Sequence, residues 1–171
     1  ISPSTVYRGD LNCVITVTGT NTSFQSGVTT VDVSGTGVTE SNVSVSSSTS
    51  MTFQVSVSTS AALGGRTVTV STGSESVLAT LTIAQPTVSF APASSTRGQT
   101  LVVTATGTGS HFGAGTAVVG DASVVVNNYT INPPTSATLN ITVPAGATLG
   151  AHNITFTTVL AGGLGTETIV G

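Results

Sequence analysis

The stretch Thr16-Val17-Thr18-Gly19-Thr20-Asn21-Thr22-Ser23-Phe24-Gln25-Ser26-Gly27-Val28 decides how this chain is read, because it returns. The second copy is Thr104-Ala105-Thr106-Gly107-Thr108-Gly109-Ser110-His111-Phe112-Gly113-Ala114-Gly115-Thr116. Gly19, Phe24 and Gly27 precede Gly107, Phe112 and Gly115 by 88 residues each. In both copies an alternating Thr-rich run ends at a glycine. A short polar loop follows, one aromatic returns to the interior, and a second glycine opens the next run. Phe24 and Phe112 are expected to plug one end of each unit, with the glycines shaping the corner around them.

Working outward, the rest of the chain repeats in the same order. Pro92 matches Pro3, Arg97-Gly98 matches Arg8-Gly9, and Leu101 to Ala105 matches Cys13 to Val17. Thr138 to Val143 matches Thr52 to Val57, Leu149-Gly150 matches Leu63-Gly64, and Ile169 is aligned with Ile83. The offset falls from 89 to 86 along the way, as loops that lose single residues would produce. Two domains follow, residues 1–85 and 86–171, each of a size that buries about 60–65% of its unfolded surface without disulfides.

Within the first unit, alternation predicts seven strands. They lie near Thr5 to Tyr7, then Leu11 to Val17, Val28 to Val33, Val38 to Val45, Met51 to Val57, Thr67 to Ser71 and Val77 to Ile83. In the fifth, Met51, Phe53, Val55 and Val57 face inward while Thr52, Gln54 and Ser56 face out. Leu11, Cys13, Ile15 and Val17 are expected on one buried face of the second. Seven short strands split by turns predict an all-β chain of two tandem immunoglobulin-like antiparallel β-sandwiches. Neither a tryptophan nor a cysteine pair is present, so the antibody hallmarks are missing.

The pattern resembles the IPT/TIG-like immunoglobulin modules of bacteria. Those carry a proline, then a glycine, a strand ending in Thr-Gly, a loop with Phe, and an Ala-x-x-Gly turn before a further strand. Here that is Pro3, Gly9, Thr18-Gly19, Phe24, Ala61-Ala62-Leu63-Gly64 and Val68-Thr69-Val70. The second copy has Pro92, Gly98, Thr106-Gly107, Phe112, Ala147-Thr148-Leu149-Gly150 and Ile154-Thr155-Phe156. The resemblance covers nearly all of both units and implies a fold more than an activity.

Composition narrows the function classes. Charged residues make up 5% of the chain, the formal net charge is −3, and the cations are Arg8, Arg66 and Arg97, with no lysine. Nucleic acid and anionic membrane surfaces both need clustered Lys and Arg, so neither is an expected partner. Apolar residues alternate instead of running for 18 or more, which excludes a spanning helix, and no membrane insertion is expected. Serine (23) and threonine (34) together make a third of the sequence. That is the composition of strands and turns that avoid charge.

Candidate chemistry is sparse. Arg8-Gly9-Asp10 spells an integrin-recognition tripeptide, but the second copy has Arg97-Gly98-Gln99, so the Arg-Gly belongs to a turn. Cys13 is replaced by Leu101 in the repeat and is expected to be a buried apolar thiol. His111 and His152 could be paired with Glu167 or Asp121, but no nucleophile elbow accompanies them, and both are expected at solvent-facing tips. The six acids are dispersed and the join around Gln85 has none, so neither a metal site nor a cofactor is expected. No catalytic residue is assigned, and the chain is not expected to be an enzyme. Asn21, Asn42, Asn128, Asn140 and Asn153 each begin an Asn-x-Ser/Thr sequon and are the candidate glycosylation sites.

Exposed strand edges are normally blunted by Lys, inward charges or Pro. A chain without lysine must protect them otherwise, by neighbouring subunits or by glycans. The sequence therefore points to a non-catalytic extracellular or cell-surface structural protein: a tandem segment of a filament, adhesin stalk or surface layer. Self-association into a homopolymer or a longer array is expected. The alternatives are a carbohydrate-binding module, which the lack of Trp disfavours, and a virion-decoration module. The short join Ile83-Ala84-Gln85-Pro86-Thr87-Val88, stiffened by Pro86, is expected to restrict bending and give a rod-like tandem. The start at Ile1 and the two near-complete repeats suggest a stretch cut from a longer array.

Overall fold

Alternating Val and Thr put one apolar face on each strand, and fourteen such strands build the chain. A computed structural model describes residues 1–171. The chain divides into two compact units, one of Ile1–Gln85 with Ala161–Leu164, the other of Pro86–Leu160 with Gly165–Gly171.

Unit 1 holds β1 (Thr5–Tyr7), β2 (Cys13–Thr18), β3 (Thr30–Val33), β4 (Val38–Ser47), β5 (Ser50–Val57), β6 (Gly64–Thr72) and β7 (Glu75–Ala84). One sheet has the order β1-β7-β6-β3 and the other β2-β5-β4. Every ladder is antiparallel except β1 with β7, which is parallel, with Val6 opposite Ile83. The burial of β5 alternates without a break from Ser50 to Val57, so Met51, Phe53, Val55 and Val57 are fully buried. Ile15, Val68, Leu81 and Ile83 belong to the same core.

Leu11 departs from its expected place. It is 44% exposed and lies outside β2. Asn12 adopts a left-handed φ of 55°, which breaks the extended run before Cys13.

Unit 2 holds β8 (Thr87–Ala91), β9 (Thr100–Thr108), β10 (Ala117–Gly120), β11 (Val125–Asn132), β12 (Ser136–Thr142), β13 (Ile154–Val159) and β14 (Thr166–Val170). Its sheets are β8-β9-β12-β11 and β10-β13-β14. Both units are thus immunoglobulin-like sandwiches. A single helical turn, Ala161–Gly163, interrupts the link between β13 and β14.

The two cores trade volume. Val17 and Met51 face each other across β2 and β5, and their counterparts Ala105 and Ala137 face each other across β9 and β12. Phe156, in the same core as Ala105 and Ala137, stands where unit 1 has the smaller Val70. Phe156 stacks on Phe112 with centroids 4.7 Å apart and on Phe90 at 6.2 Å. Such exchange keeps interior density while changing every residue involved.

Register corrects one alignment. Thr72 lies opposite Glu75, and Thr158 opposite Glu167. Val70 lies opposite Val77, and Phe156 opposite Ile169. Ile169 is therefore the counterpart of Val77, not of Ile83. The two-residue turn Gly73-Ser74 of unit 1 is replaced in unit 2 by a longer link between Val159 and Thr166, which resets the offset from 86 to 92.

Candidate functional site

The repeated corner is where the polar chemistry of each unit gathers. In unit 1 Gly19 N donates to Thr49 O at 2.8 Å, Phe24 N to Ser48 O at 2.9 Å, and Thr22 Oγ1 to Ser48 O at 2.8 Å. In unit 2 Gly107 N donates to Thr135 O at 2.7 Å, Phe112 N to Pro134 O at 2.9 Å, and Ser110 Oγ to Pro134 O at 3.2 Å. A buried hydroxyl pair spans the sheet below: Thr29 with Thr72 at 2.7 Å, Thr116 with Thr158 at 2.8 Å. Gln25 N donates to Thr29 Oγ1, and Gly113 N to Thr116 Oγ1, each at 2.8 Å. Each of these bonds is present in both corners.

The glycines at positions 19 and 107 are there for space. A Cβ on Gly19 would lie 2.3 Å from Thr22 Oγ1, and one on Gly107 2.0 Å from Ser110 Oγ. The hydroxyl that binds the facing carbonyl folds back over the glycine, so the two choices are coupled. Phe24 and Phe112 are buried beside them. Gly27 has a φ of +75° in the loop leading to Thr29. That loop is one residue shorter in unit 2, and Gly115 has neither a left-handed φ nor a close neighbour. Its two glycine roles are not equivalent.

A carboxylate closes each corner. Glu75 accepts from Ser23 N at 3.1 Å. Glu167 accepts from His111 N at 3.1 Å and from His111 Nδ1 at 2.8 Å. Glu167 is 3% exposed, so the unit 2 version is a buried carboxylate held by two donors. His111 is half-buried against it and not a free tip. Facing a carboxylate oxygen, Nδ1 is the nitrogen that carries hydrogen.

His152 is likewise engaged. Its Nδ1 lies 3.0 Å from Asp121 Oδ2, and its Nε2 lies 2.9 Å from the carbonyl of Thr148. Asp121 also accepts from Ser123 N at 2.8 Å and Asn153 N at 3.0 Å. The Thr148 carbonyl, then Asp121, raise the His152 pKa, and the Ser123 amide leads the groups that lower that of Asp121. Thr148 Oγ1 is 3.4 Å from Nε2 and 3.1 Å from Ser123 Oγ, an arrangement superficially like an acid–histidine–hydroxyl relay. Nε2, however, points its hydrogen at a carbonyl, which can only accept. A base needs a lone pair toward the hydroxyl. Both ring nitrogens face acceptors, so the cluster is a clip for the 148–153 loop.

Arg8-Gly9-Asp10 forms the turn between β1 and β2. Gly9 has a φ of +95°, and Asp10 Oδ2 accepts from Tyr7 N at 2.8 Å. Arg8 Nε donates to Ala61 O at 2.6 Å, and its Nη1 to Gln85 Oε1 at 3.0 Å. Cys13 is partly buried against the unit 1 core, and burial, then the Asp10 charge, push its thiol pKa up. A raised pKa disfavours the thiolate and with it nucleophilic chemistry. Among the sequons, Asn21, Asn42, Asn128 and Asn153 are exposed, and Asn140 is half-buried with its Oδ1 accepting from Asn127 Nδ2 at 2.8 Å.

The Thr29–Thr72 and Thr116–Thr158 pairs and the equivalence of Glu75 with Glu167 were not singled out from sequence, which named Glu167 only as a candidate partner for a histidine. The signal was present, since Thr29 and Thr116, Thr72 and Thr158, and Glu75 and Glu167 match in type. An alignment that admits the lengthened link after Val159 places Glu167 on Glu75.

No family model matches the chain, and no curated protein matches it. Solved structures to which it is similar include the Yersinia pseudotuberculosis adhesin InvE, at 17% identity and a TM-score of 0.37, over 99% of this chain and 56% of that one. Invasin, a bacterial integrin-binding protein, is similar at 14% identity and a TM-score of 0.37, over 98% and 38%. Domains 5-6 of the S-layer protein SbsC are similar at 17% identity and a TM-score of 0.33, over 96% and 90%. The chain spans about half the length of the InvE structure.

Proposed function

We propose that this chain is a non-catalytic structural segment of an extracellular or cell-surface assembly: a tandem immunoglobulin-like spacer of a filament, adhesin stalk or surface layer. The duplicated corner carries this reading. At this corner the buried hydroxyls of both units are committed to the same framework bonds, and the two histidines hold loops. Weak charge, the absence of lysine and Thr/Ser-covered strands support it, because such edges need cover from neighbours or glycans. Membership of the IPT/TIG-like modules, repeat boundaries at Gln85/Pro86 and glycosylation at the exposed sequons belong to the same proposal.

Electron microscopy of the native material is the test. Ordered filaments or lattices with an axial repeat of one or two domains are the expected result. A monodisperse, unmodified monomer at high concentration would sink the assembly reading. Binding of an isolated chain on a glycan array would move the assignment to carbohydrate recognition.

A further inference from the structure

The two units treat one sheet edge in opposite ways. β4 pairs only with β5 and β11 only with β12, so the other side of each is open. An open edge invites pairing with another chain unless short length, a bulge or a charge blunts it. β3 and β10, edges of the facing sheets, are four residues each. β4 is long but broken. Its register against β5 shifts between Ser41 and Ser44 and again between Val45 and Ser47, and Asn42 within the first shift has a left-handed φ of 51°. Glu40 adds a carboxylate there, which accepts from Val33 N.

β11 carries none of these devices over its second half. Val126 stands opposite Ile141 where Glu40 stands opposite Val55. The one register shift comes early, between Val126 and Asn128, and Asn128–Asn132 then pairs without a break with residues 140 to 136. All five residues are uncharged. Asn128, Thr130 and Asn132 are exposed on the outer face. Tyr129 lies on the inner face, opposite buried Leu139, yet is 40% exposed. Ile131, on the same face, is only partly buried.

By residue class, Asn128-Tyr129-Thr130-Ile131-Asn132 reads the same in both directions. Turned about a two-fold axis at Thr130, the strand meets itself antiparallel, with Thr130 against Thr130, Tyr129 against Ile131 and Asn128 against Asn132. Threonine pairs and pairs of an aromatic with a β-branched residue are favoured across strands. A slip of one residue would set outward Asn and Thr against inward Tyr and Ile, so the pattern fixes the register. We propose that β11 pairs edge to edge with β11 of a second copy of this chain, joining two four-stranded sheets into one of eight. The second copy's Ile131 then covers the exposed part of Tyr129. This contact rests on the reading of the chain as an assembly subunit and names the surface that joins two subunits. Five paired residues make a small, weak interface, one that fills when subunits are concentrated.

Sedimentation of the full chain over a concentration series is the test. The average mass should rise toward that of a dimer. Thr130→Lys and Thr130→Glu each set like charges face to face at the axis and should weaken association at least about fivefold. Their equimolar mixture brings opposite charges together and should restore it. Thr130 and its unit 1 counterpart Ser44 are both exposed, so neither site disturbs a core, and Ser44→Lys should leave association unchanged. Hydrogen exchange at 128–132 should slow as concentration rises, while exchange in β4 stays constant. A mass that stays monomeric at every concentration overturns the proposal. So does a dimer indifferent to both charges, or a mixture that associates no better than either variant alone. Pairing also sets the second copy's Asn132 beside Asn128, so a glycan on Asn128 in the native material would overturn it. Filaments that take up Thr130→Lys subunits as readily as the natural chain would remove this contact and leave the assembly reading standing. Absence of both filaments and dimers would sink the two together.

Discussion

Unit 1 and unit 2 hold the same corner by the same backbone bonds, and they fill their cores with different side chains. At the corner, side chains change while donors and acceptors stay: Thr22 becomes Ser110, Ser23 becomes His111, and each still serves the same carbonyl or carboxylate. In the core, the Val17–Met51 pair of unit 1 becomes Ala105–Ala137 in unit 2, and Val70 becomes Phe156. The difference teaches which part of the fold is local and which is not. A corner whose hydroxyls and amides lie a few residues apart and bind one adjacent hairpin survives replacement of its side chains, even though its carboxylate comes from a distant strand. A core filled by side chains far apart in sequence changes at several positions together.

The largest effect should come from the plugs. Phe24→Ala and Phe112→Ala should each cost about 3–5 kcal/mol, from lost burial and the cavity left behind. Phe112 should sit at the upper end, because its stack on Phe156 adds about 0.5–1.5 kcal/mol beyond burial. Denaturant unfolding followed by exchange at amides of each unit would measure both. Equal costs would mean that the stack adds nothing and that the two cores differ only in shape.

Next come the carboxylates. Glu167→Ala strands two donors at a buried site and should cost about 1–3 kcal/mol. Glu75→Ala removes one bond from a half-buried residue and should cost no more than about 1 kcal/mol. Glu167→Gln separates charge from shape, since an amide oxygen still accepts one of the two bonds. If both alanine variants lose the same stability, His111 contributes nothing to the unit 2 corner.

Much of this was legible in the sequence. Period-2 alternation located all seven strands of unit 1, because a strand with one buried face must alternate. The spacing of Gly19 and Phe24 from Gly107 and Phe112 exposed the corner, because a glycine under a folded-back hydroxyl and an aromatic plug cannot be exchanged freely. What stayed hidden depends on pairing across distance. Leu11 looked inward until Asn12 turned left-handed. Ile169 looked like Ile83 because both end an apolar run, and only register against Phe156 separates them. The histidines looked exposed because their carboxylates lie 31 and 56 residues away. The parallel β1–β7 pairing leaves no local mark at all.

A smaller effect separates the second glycines. Gly27→Ala places a side chain at a φ of +75°, which should cost about 1–2 kcal/mol. Gly115→Ala meets neither a left-handed φ nor a neighbour within 4 Å, and it restricts the unfolded chain. It should therefore be neutral or stabilise by about 0.4–1 kcal/mol. Opposite signs would confirm that the one-residue shortening of the unit 2 loop removed the need for glycine. The same sign in both would mean that Gly115 has a constraint beyond φ and space.

The smallest effect is a titration present in one unit only. Arg66 Nη2 donates to Ala62 O at 2.8 Å, and its counterpart His152 uses Nε2 on the counterpart carbonyl of Thr148 at 2.9 Å. An imidazole, unlike a guanidinium, changes charge near neutral pH. Because the folded pKa of His152 is raised from an ordinary value near 6.5, its contribution is complete below that pH and is lost as pH rises through the raised value. Asp121, lowered from 3.8, contributes above its ordinary value and loses that contribution as pH falls through the lowered one. The 148–153 loop should therefore be tightest between these limits and loosen on the alkaline side, while the 62–66 loop stays unchanged. Proton NMR of the His152 ring, with exchange rates for both loops, reads this directly. His152→Arg should flatten the alkaline limb by giving unit 2 the cation of unit 1. A His152 ring that titrates below its ordinary value, or a 62–66 loop that loosens in step, would show that the two bonds are not counterparts.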